Sequence, residues 1–517
     1  MRRVIALVTA FSFLFLPAPA NAAAPKAGAP CSKANQSQTS NGVKFTCVKS
    51  GMKLIWKSLG LVAPKPTTKT FDYAAMHSTD DGYYAPFSDP CEMDKNIPTE
   101  FIDLQFYFYN FSRCAGQMQL GKYSLGTKRP STVFDAPSKF SNTQMCKLVT
   151  PQGSRSNLGY TTTEPGRNQW MESNRYPAPN TVIQLVPIYS NDSAKPTKTP
   201  AEDYKVFLDF YKNWIEYSSD FGSNVTIRVP DSYIKMDTPL ASYQLKHPVN
   251  SDSPNNVKFN RDVVAATDSE IDFTGANMAI VVPPPGTEAS TFSQAAIGPF
   301  NTNEGRVPNV MTEFGAYAKN PQDNTYAGLA HPFWWIHEFM HAGVGFDDHY
   351  GDSKNDINGE YGMGNLTLMT PWGGDLTTWE KWRLGFMRES QIQCKTDSAT
   401  STHWIAPSTV QTQESKSVVI AISSTKAVVI ESLRPGGLFY KHPVQSQGAL
   451  VYEIDLTKDS HGMGMKISLP IGRKVEGNRI FMASAPLKQG ESTISNGYKV
   501  TVVESGTFGD VVKVEKQ

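Results

Sequence analysis

The sequence predicts an α+β chain. An α/β layer ends in a helix with closely spaced histidines, a β-sandwich-like region follows it, and a small disulfide-linked β module precedes it. Three observations predict this. Buried-strand patterns alternate with an amphipathic helix after residue 178. Residues 331–350 read HPFWWIHEFMHAGVGFDDHY, good helix material after Pro332. Beyond residue 390, short β-branched runs recur, several separated by Gly- or Pro-containing turns.

The chain has 517 residues, a length that suggests two to four domains. Its 49 Lys+Arg against 48 Asp+Glu leave a net charge of +1, so no positive field draws phosphates and no nucleic-acid partner is expected. With 39% apolar residues it has the material for sizeable cores, which excludes wholesale disorder.

Residues 1–22 read as a secretory signal. Arg2 and Arg3 precede an apolar run from Val4 to Leu16, and Ala20-Asn21-Ala22 predicts cleavage after about Ala22. The run is shorter than the roughly 20 residues a spanning helix needs, and no later stretch is long enough, so a secreted chain with no membrane anchor is expected. Six cysteines without a C-x-x-C pair fit disulfides outside the cytosol. Cys31 and Cys47 bracket one hairpin-like segment and are expected to pair.

Residues 23–60 form the small module, with strands around Val43–Cys47 and Lys53–Trp56, and 61–70 (LVAPKPTTKT, counted from Leu61) are a linker. Residues 71–177 show no assignable architecture; a propeptide, an inhibitory segment and a part of the mature protein all stay open. Residues 178–390 hold a strand at 181–188, a helix at 200–218 with Tyr204, Phe207, Tyr211 and Trp214 at helical spacing, and a strand at 277–282. Residues 391–517 hold β runs at 417–422, 427–431, 449–454, 498–503 and 511–514, a sandwich pattern.

The chemistry lies in His337-Glu338-Phe339-Met340-His341. Residues four apart share a helix face, so both imidazoles can reach one Zn²⁺. Glu338 falls beside the metal rather than on it, where it can take a proton from an attacking water. The context is rich in further donors: four of nine histidines (His331, His337, His341, His349) lie within 331–349. A third ligand is required. In the extended motif H-E-x-x-H-x-x-G-x-x-H/D it lies six residues after the second His, here Asp347. The pattern's Gly position is Val344, flanked by Gly343 and Gly345, so Asp348, His349 and Glu360 stay open as alternatives.

HEFMHAGVGFDDHY resembles the motif of the M6 peptidases, the immune inhibitor A-like secreted metalloendopeptidases. Leu366-Thr367-Leu368-Met369-Thr370 and Trp379-Glu380-Lys381-Trp382-Arg383-Leu384-Gly385-Phe386 are similar to later segments of that family. The departures are Val344 for Gly, Gly345-Phe346 for Leu-Pro, and Phe386 for Trp. The resemblance implies a metzincin-like zinc endopeptidase acting on protein or peptide substrates. It implies His337 and His341 as ligands, Asp347 as the third, Glu338 as general base and Met369 as the Met-turn residue. Tyr350 or Tyr361 is a candidate oxyanion donor. The oxygen-rich loop from Asp347 to Glu360 raises a structural Ca²⁺, although the EF-hand spacing fails at Lys354. The competing reading is an exported surface- or wall-binding protein on a protease fold without activity.

Overall fold

The computed structural model describes residues 26–40, 43–61, 125–160 (without 153, 155 and 157), 180–245 (without 221), 253–315 (without 294), 332–349, 362–369 (without 365), 374–439 (without 435 and 436), 446–458, 463–475 and 484–517. The expected signal, the linker after Leu61, Cys91, Cys114, His331, Tyr350, Glu360 and Tyr361 lie outside the described residues. The chain divides into two compact units, 1–69 and 70–517.

The first unit is an antiparallel sheet of β1 (Ser37–Ser40), β2 (Val43–Ser50) and β3 (Lys53–Leu61). Among the described residues its buried core is Phe45, Cys47 and Trp56. So small a core needs a covalent tie, and the Cys31–Cys47 disulfide supplies it as the spacing predicts. The Ser/Gln-rich stretch before β2 pairs with it as β1.

In the second unit, β4 (Asn180–Tyr189) leads through α1 (Pro200–Ser218) to β5 (Asn224–Arg228) and the short β6 (Ile234–Lys235). Then α2 (Pro254–Thr267) leads to β7 (Met278–Val282), followed by β8 (Ala295–Ala296), β9 (Phe300–Thr302), β10 (Gly305–Val307) and β11 (Asn309–Thr312). The sheet order is β5-β4-β7-β11-β8, parallel except for β8 at the edge. Helices cover both faces, which is why β7 reads as an unbroken apolar run and β4 as one interrupted after Thr181 only by Gln184. Ile183, Leu185, Met278 and Ile280 face α1, while Val186, Ile188, Ala279 and Val281 face α2.

Besides the two-stranded β9-β10 pair, the described residues of the unit hold two larger sheets. One orders β12 (Ile392–Lys395), β14 (Ser417–Ala421), β15 (Lys426–Leu433), β16 (Gly448–Asp455) and β17 (Met465–Ile467). The other orders β13 (Ser401–Ile405), β20 (Gly509–Lys516), β19 (Tyr498–Gly506) and β18 (Ser492–Ser495). Their facing residues form one core: Val418, Ile420, Val428, Ile430 and Val451 against Val500, Val502, Val512 and Val514. The expected sandwich is therefore present. The alternate residues Val419, Val429, Leu450 and Tyr452 point the other way and join the core that holds α1. The boundary drawn at 390 is thus no break in packing, because the first sheet of the sandwich has a buried residue on both sides at nearly every position.

The segment at 125–160 is built into this unit. Cys146 is disulfide-bonded to Cys394 in β12, 248 residues away. Glu504 accepts from the backbone N–H groups of Ser131 and Thr132 at 2.9 and 2.7 Å, and the Trp379 indole donates to the Leu158 carbonyl at 2.9 Å. This part of the 71–177 region is thus tied to the rest of the unit by a covalent bond and by hydrogen bonds.

Among the described residues no helix is long and apolar enough to cross a membrane. The two disulfides are compatible with an extracellular protein.

A protease site engineered between residues 161 and 179 should therefore cut the chain without releasing its front half. The two fragments should run together on a denaturing gel without reductant and separate with it; separation without reductant would disprove the Cys146–Cys394 link. Replacing both cysteines with Ser should lower unfolding free energy by about 2–4 kcal/mol in a denaturant titration.

Candidate metal centre

The motif helix, α3 (Pro332–Phe339), continues directly into a π turn at Met340–Val344. Its inner face is wholly apolar: Trp335, Ile336, Phe339 and Met340 are buried in the large core. Helix α1 grips that face. Trp335 packs on Tyr204 and Phe207 at centroid distances of 5.4 and 4.9 Å, and Phe339 meets Tyr211 edge-on at 5.3 Å. The aromatic spacing that predicted α1 is thus the surface that fixes the motif helix.

Gly345 ends the helix in the left-handed region at φ +80°, where a Cβ is strained. Its N–H donates to the His341 carbonyl at 3.0 Å, and the Phe346 N–H to the Met340 carbonyl at 3.1 Å. In the Schellman ending of an ordinary α-helix each of these bonds spans one residue fewer. The widening is the signature of a π turn, in which one extra residue is accommodated within the helix.

That extra residue sets the ligand register. The expected pattern places Gly three residues after the second His and the acid three residues after Gly. Here Gly345 lies four after His341, and the acid three beyond it is Asp348. The fixed spacing points to Asp347, but it is Asp348 Oδ1 that stands 3.1 Å from His337 Nε2 and 3.2 Å from His341 Nε2. The Gly-x-x-Asp spacing is intact in the sequence and was the available signal.

Each imidazole is oriented from behind. His337 Nδ1 is 2.8 Å from the Leu368 carbonyl, and His341 Nδ1 is 2.5 Å from the Phe346 carbonyl. A carbonyl only accepts, so each Nδ1 carries a proton, and each Nε2, once deprotonated, presents a lone pair. The two Nε2 atoms face each other at 3.1 Å. Three acceptors thus converge on one point, which is repulsive unless a cation or protons neutralise it. Ligand atoms 2.0–2.1 Å from a tetrahedral ion lie roughly 3.3–3.4 Å from one another. The observed separations are close to that edge, so this donor set fits Zn²⁺. Glu338 has an atom within 4.8 Å of the imidazole nitrogens and is only partly buried. Burial disfavours a charged His341, but Asp348, Glu338 and the Phe346 carbonyl outweigh it and push its pKa up to about 9.

The remaining expected residues separate. His349 is buried, with Nε2 3.1 Å from Glu380 Oε1. Met369 is fully buried, one residue after the Leu368 carbonyl that holds His337. Glu360, Tyr350, Tyr361 and most of the oxygen-rich loop considered for Ca²⁺ lie outside the described residues. No protein-family model matches the chain, and no curated protein matches it.

The geometry separates neighbouring acids. Asp348→Asn should weaken Zn²⁺ binding by more than the roughly 10–100-fold that outer partners contribute, measured by chelator competition. Asp347→Asn should change it far less. Equal losses, or the larger loss at Asp347, would reverse the ligand assignment.

Proposed function

We propose that the protein is a secreted zinc-dependent endopeptidase of the M6, metzincin-like kind, with His337, His341 and Asp348 as metal ligands and Glu338 as general base. The observation that carries this reading is the meeting of three acceptor atoms 3.1–3.2 Å apart, with both imidazoles oriented by backbone carbonyls. Such orientation from behind is what a metal centre requires and a pair of packing histidines does not.

When bound, Zn²⁺ supplies a Lewis acid for the scissile carbonyl and makes water nucleophilic near neutral pH. The protein does the rest. Glu338 follows His337 in the helix, so its carboxylate reaches the same cleft without displacing a ligand. There it takes a proton from the attacking water and returns it to the leaving amine. The Leu368 and Phe346 carbonyls keep each Nδ1 protonated, which keeps each Nε2 available. The buried aromatic face of α3 holds both rings still, so little reorganisation is needed on reaction. Protein or peptide chains are the proposed substrates. Export is part of the proposal and is supported by the Arg-led apolar run at 2–16 and the disulfides.

Glu338→Gln should keep stoichiometric zinc and lose about 10²–10⁴-fold in kcat on an unfolded protein such as casein. Zinc retention is read by metal analysis and turnover by release of soluble peptides. Full activity in the zinc-loaded variant would remove the general-base role. A wild-type chain that binds zinc but cleaves nothing would favour the binding-protein reading instead.

A further inference from the structure

Two helices in this protein start with the same capping box, and they treat its glutamate differently. In α1, Glu202 caps Thr199 from an exposed position, its Oε2 2.9 Å from the Thr199 N–H and 2.7 Å from its hydroxyl. In α4 (Thr378–Leu384), Glu380 makes the equivalent contacts with Thr377, 2.8 Å from the N–H and 2.7 Å from the hydroxyl. Yet Glu380 is completely buried. Capping does not require burial, as Glu202 demonstrates, and burying a carboxylate is unfavourable unless further partners meet it.

Glu380 has such partners, and both belong to the metal centre's supporting segments. Its Oε2 accepts from the Thr367 hydroxyl at 2.7 Å. Its Oε1 lies 3.1 Å from His349 Nε2, in contact but without hydrogen-bond alignment. Thr367 precedes Leu368, whose carbonyl orients His337. His349 follows Asp348, whose Oδ1 meets both imidazoles. The same two segments are zipped by their backbones: the His349 N–H donates to the Met369 carbonyl and the Met363 N–H to the His349 carbonyl, both at 2.6 Å. One carboxylate therefore sits at the root of the acidic ligand and of the carbonyl that fixes an imidazole.

We propose that Glu380 is a positioning residue for the metal centre, holding through His349 and Thr367 the two segments that deliver Asp348 and the Leu368 carbonyl. It acts through those residues and touches neither metal nor substrate. The inference rests on the metal-centre reading above and adds a residue outside the motif. It also gives the C-terminal half a role in the site. Thr378, next to the capped residue, bonds Ser417 of β14 at 3.1 Å, so the sandwich braces the helix that carries Glu380.

The test compares Glu380→Gln with Glu202→Gln in the full chain; the second variant loses a cap of the same kind at the surface. Zn²⁺ affinity is measured by chelator competition, and the visible spectrum is recorded after loading with Co²⁺. Glu380→Gln should weaken Zn²⁺ binding about 10–100-fold, alter the Co²⁺ spectrum, and lower kcat more than it changes KM. Glu202→Gln should leave all three unchanged. A folded Glu380→Gln with wild-type Zn²⁺ affinity and an unchanged Co²⁺ spectrum would overturn the proposal. Should Glu380→Gln fail to fold, Thr367→Val decides. It removes one contact while keeping shape, and weaker Zn²⁺ binding with an altered spectrum supports the role, whereas wild-type values overturn it. A wild-type chain that takes up neither Zn²⁺ nor Co²⁺ refutes the metal centre itself, an outcome visible before any variant is made.

Discussion

Three electron-rich atoms, two imidazole nitrogens and one carboxylate oxygen, are held within about 3.2 Å of one another. Atoms so close need a shared proton or a cation between them. Keeping them together demands that every route of relaxation be blocked, and much of the fold around them can be understood as that blockade. The rings are tethered at their far nitrogens, their helix is wedged against Tyr204, Phe207 and Tyr211 of α1, and the acidic arm is zipped to the turn at 363–369.

The blockade explains why the second unit is not a catalytic domain with an accessory sandwich hung behind it. A sheet whose residues alternate between two cores transmits rigidity in both directions, since neither face can relax without opening the other. Val418 and Val428 face the second sheet of the sandwich, while Val419 and Val429 face the core that contains α1 and α3. Polar anchors cross the same boundary. Glu431 of β15 lies beneath α4 next to the Thr378 N–H, and burial pushes its carboxyl pKa up to about 8. A group so perturbed is a sign of how little water reaches that junction.

The π turn at 340–344 lengthens the spacing between His341 and the acid by one residue, and the three atoms still meet. One extra residue between the second histidine and the glycine would rotate everything downstream by about 100° in an α-helix. Widening a single turn absorbs it, and the glycine, the following residue and the acid keep their mutual arrangement. Gly345 ends the helix and Asp348 follows it by three residues, so the displacement is confined to that one turn.

Elements whose pattern is set by their own neighbours were legible in the sequence. The helix at 200–218 carries its capping box and aromatic stripe within itself, and the motif imidazoles lie one turn apart by helical geometry alone. Cys31 and Cys47 are close in sequence, so their pairing could be read. The helix at Pro254–Thr267 escaped because its apolar stripe is thin and mostly polar residues surround it. The bond from Cys146 to Cys394 and the burial of Glu380 were decided only by the tertiary structure. Each depends on contacts between segments far apart along the chain, and no local periodicity records which distant surface a side chain will meet.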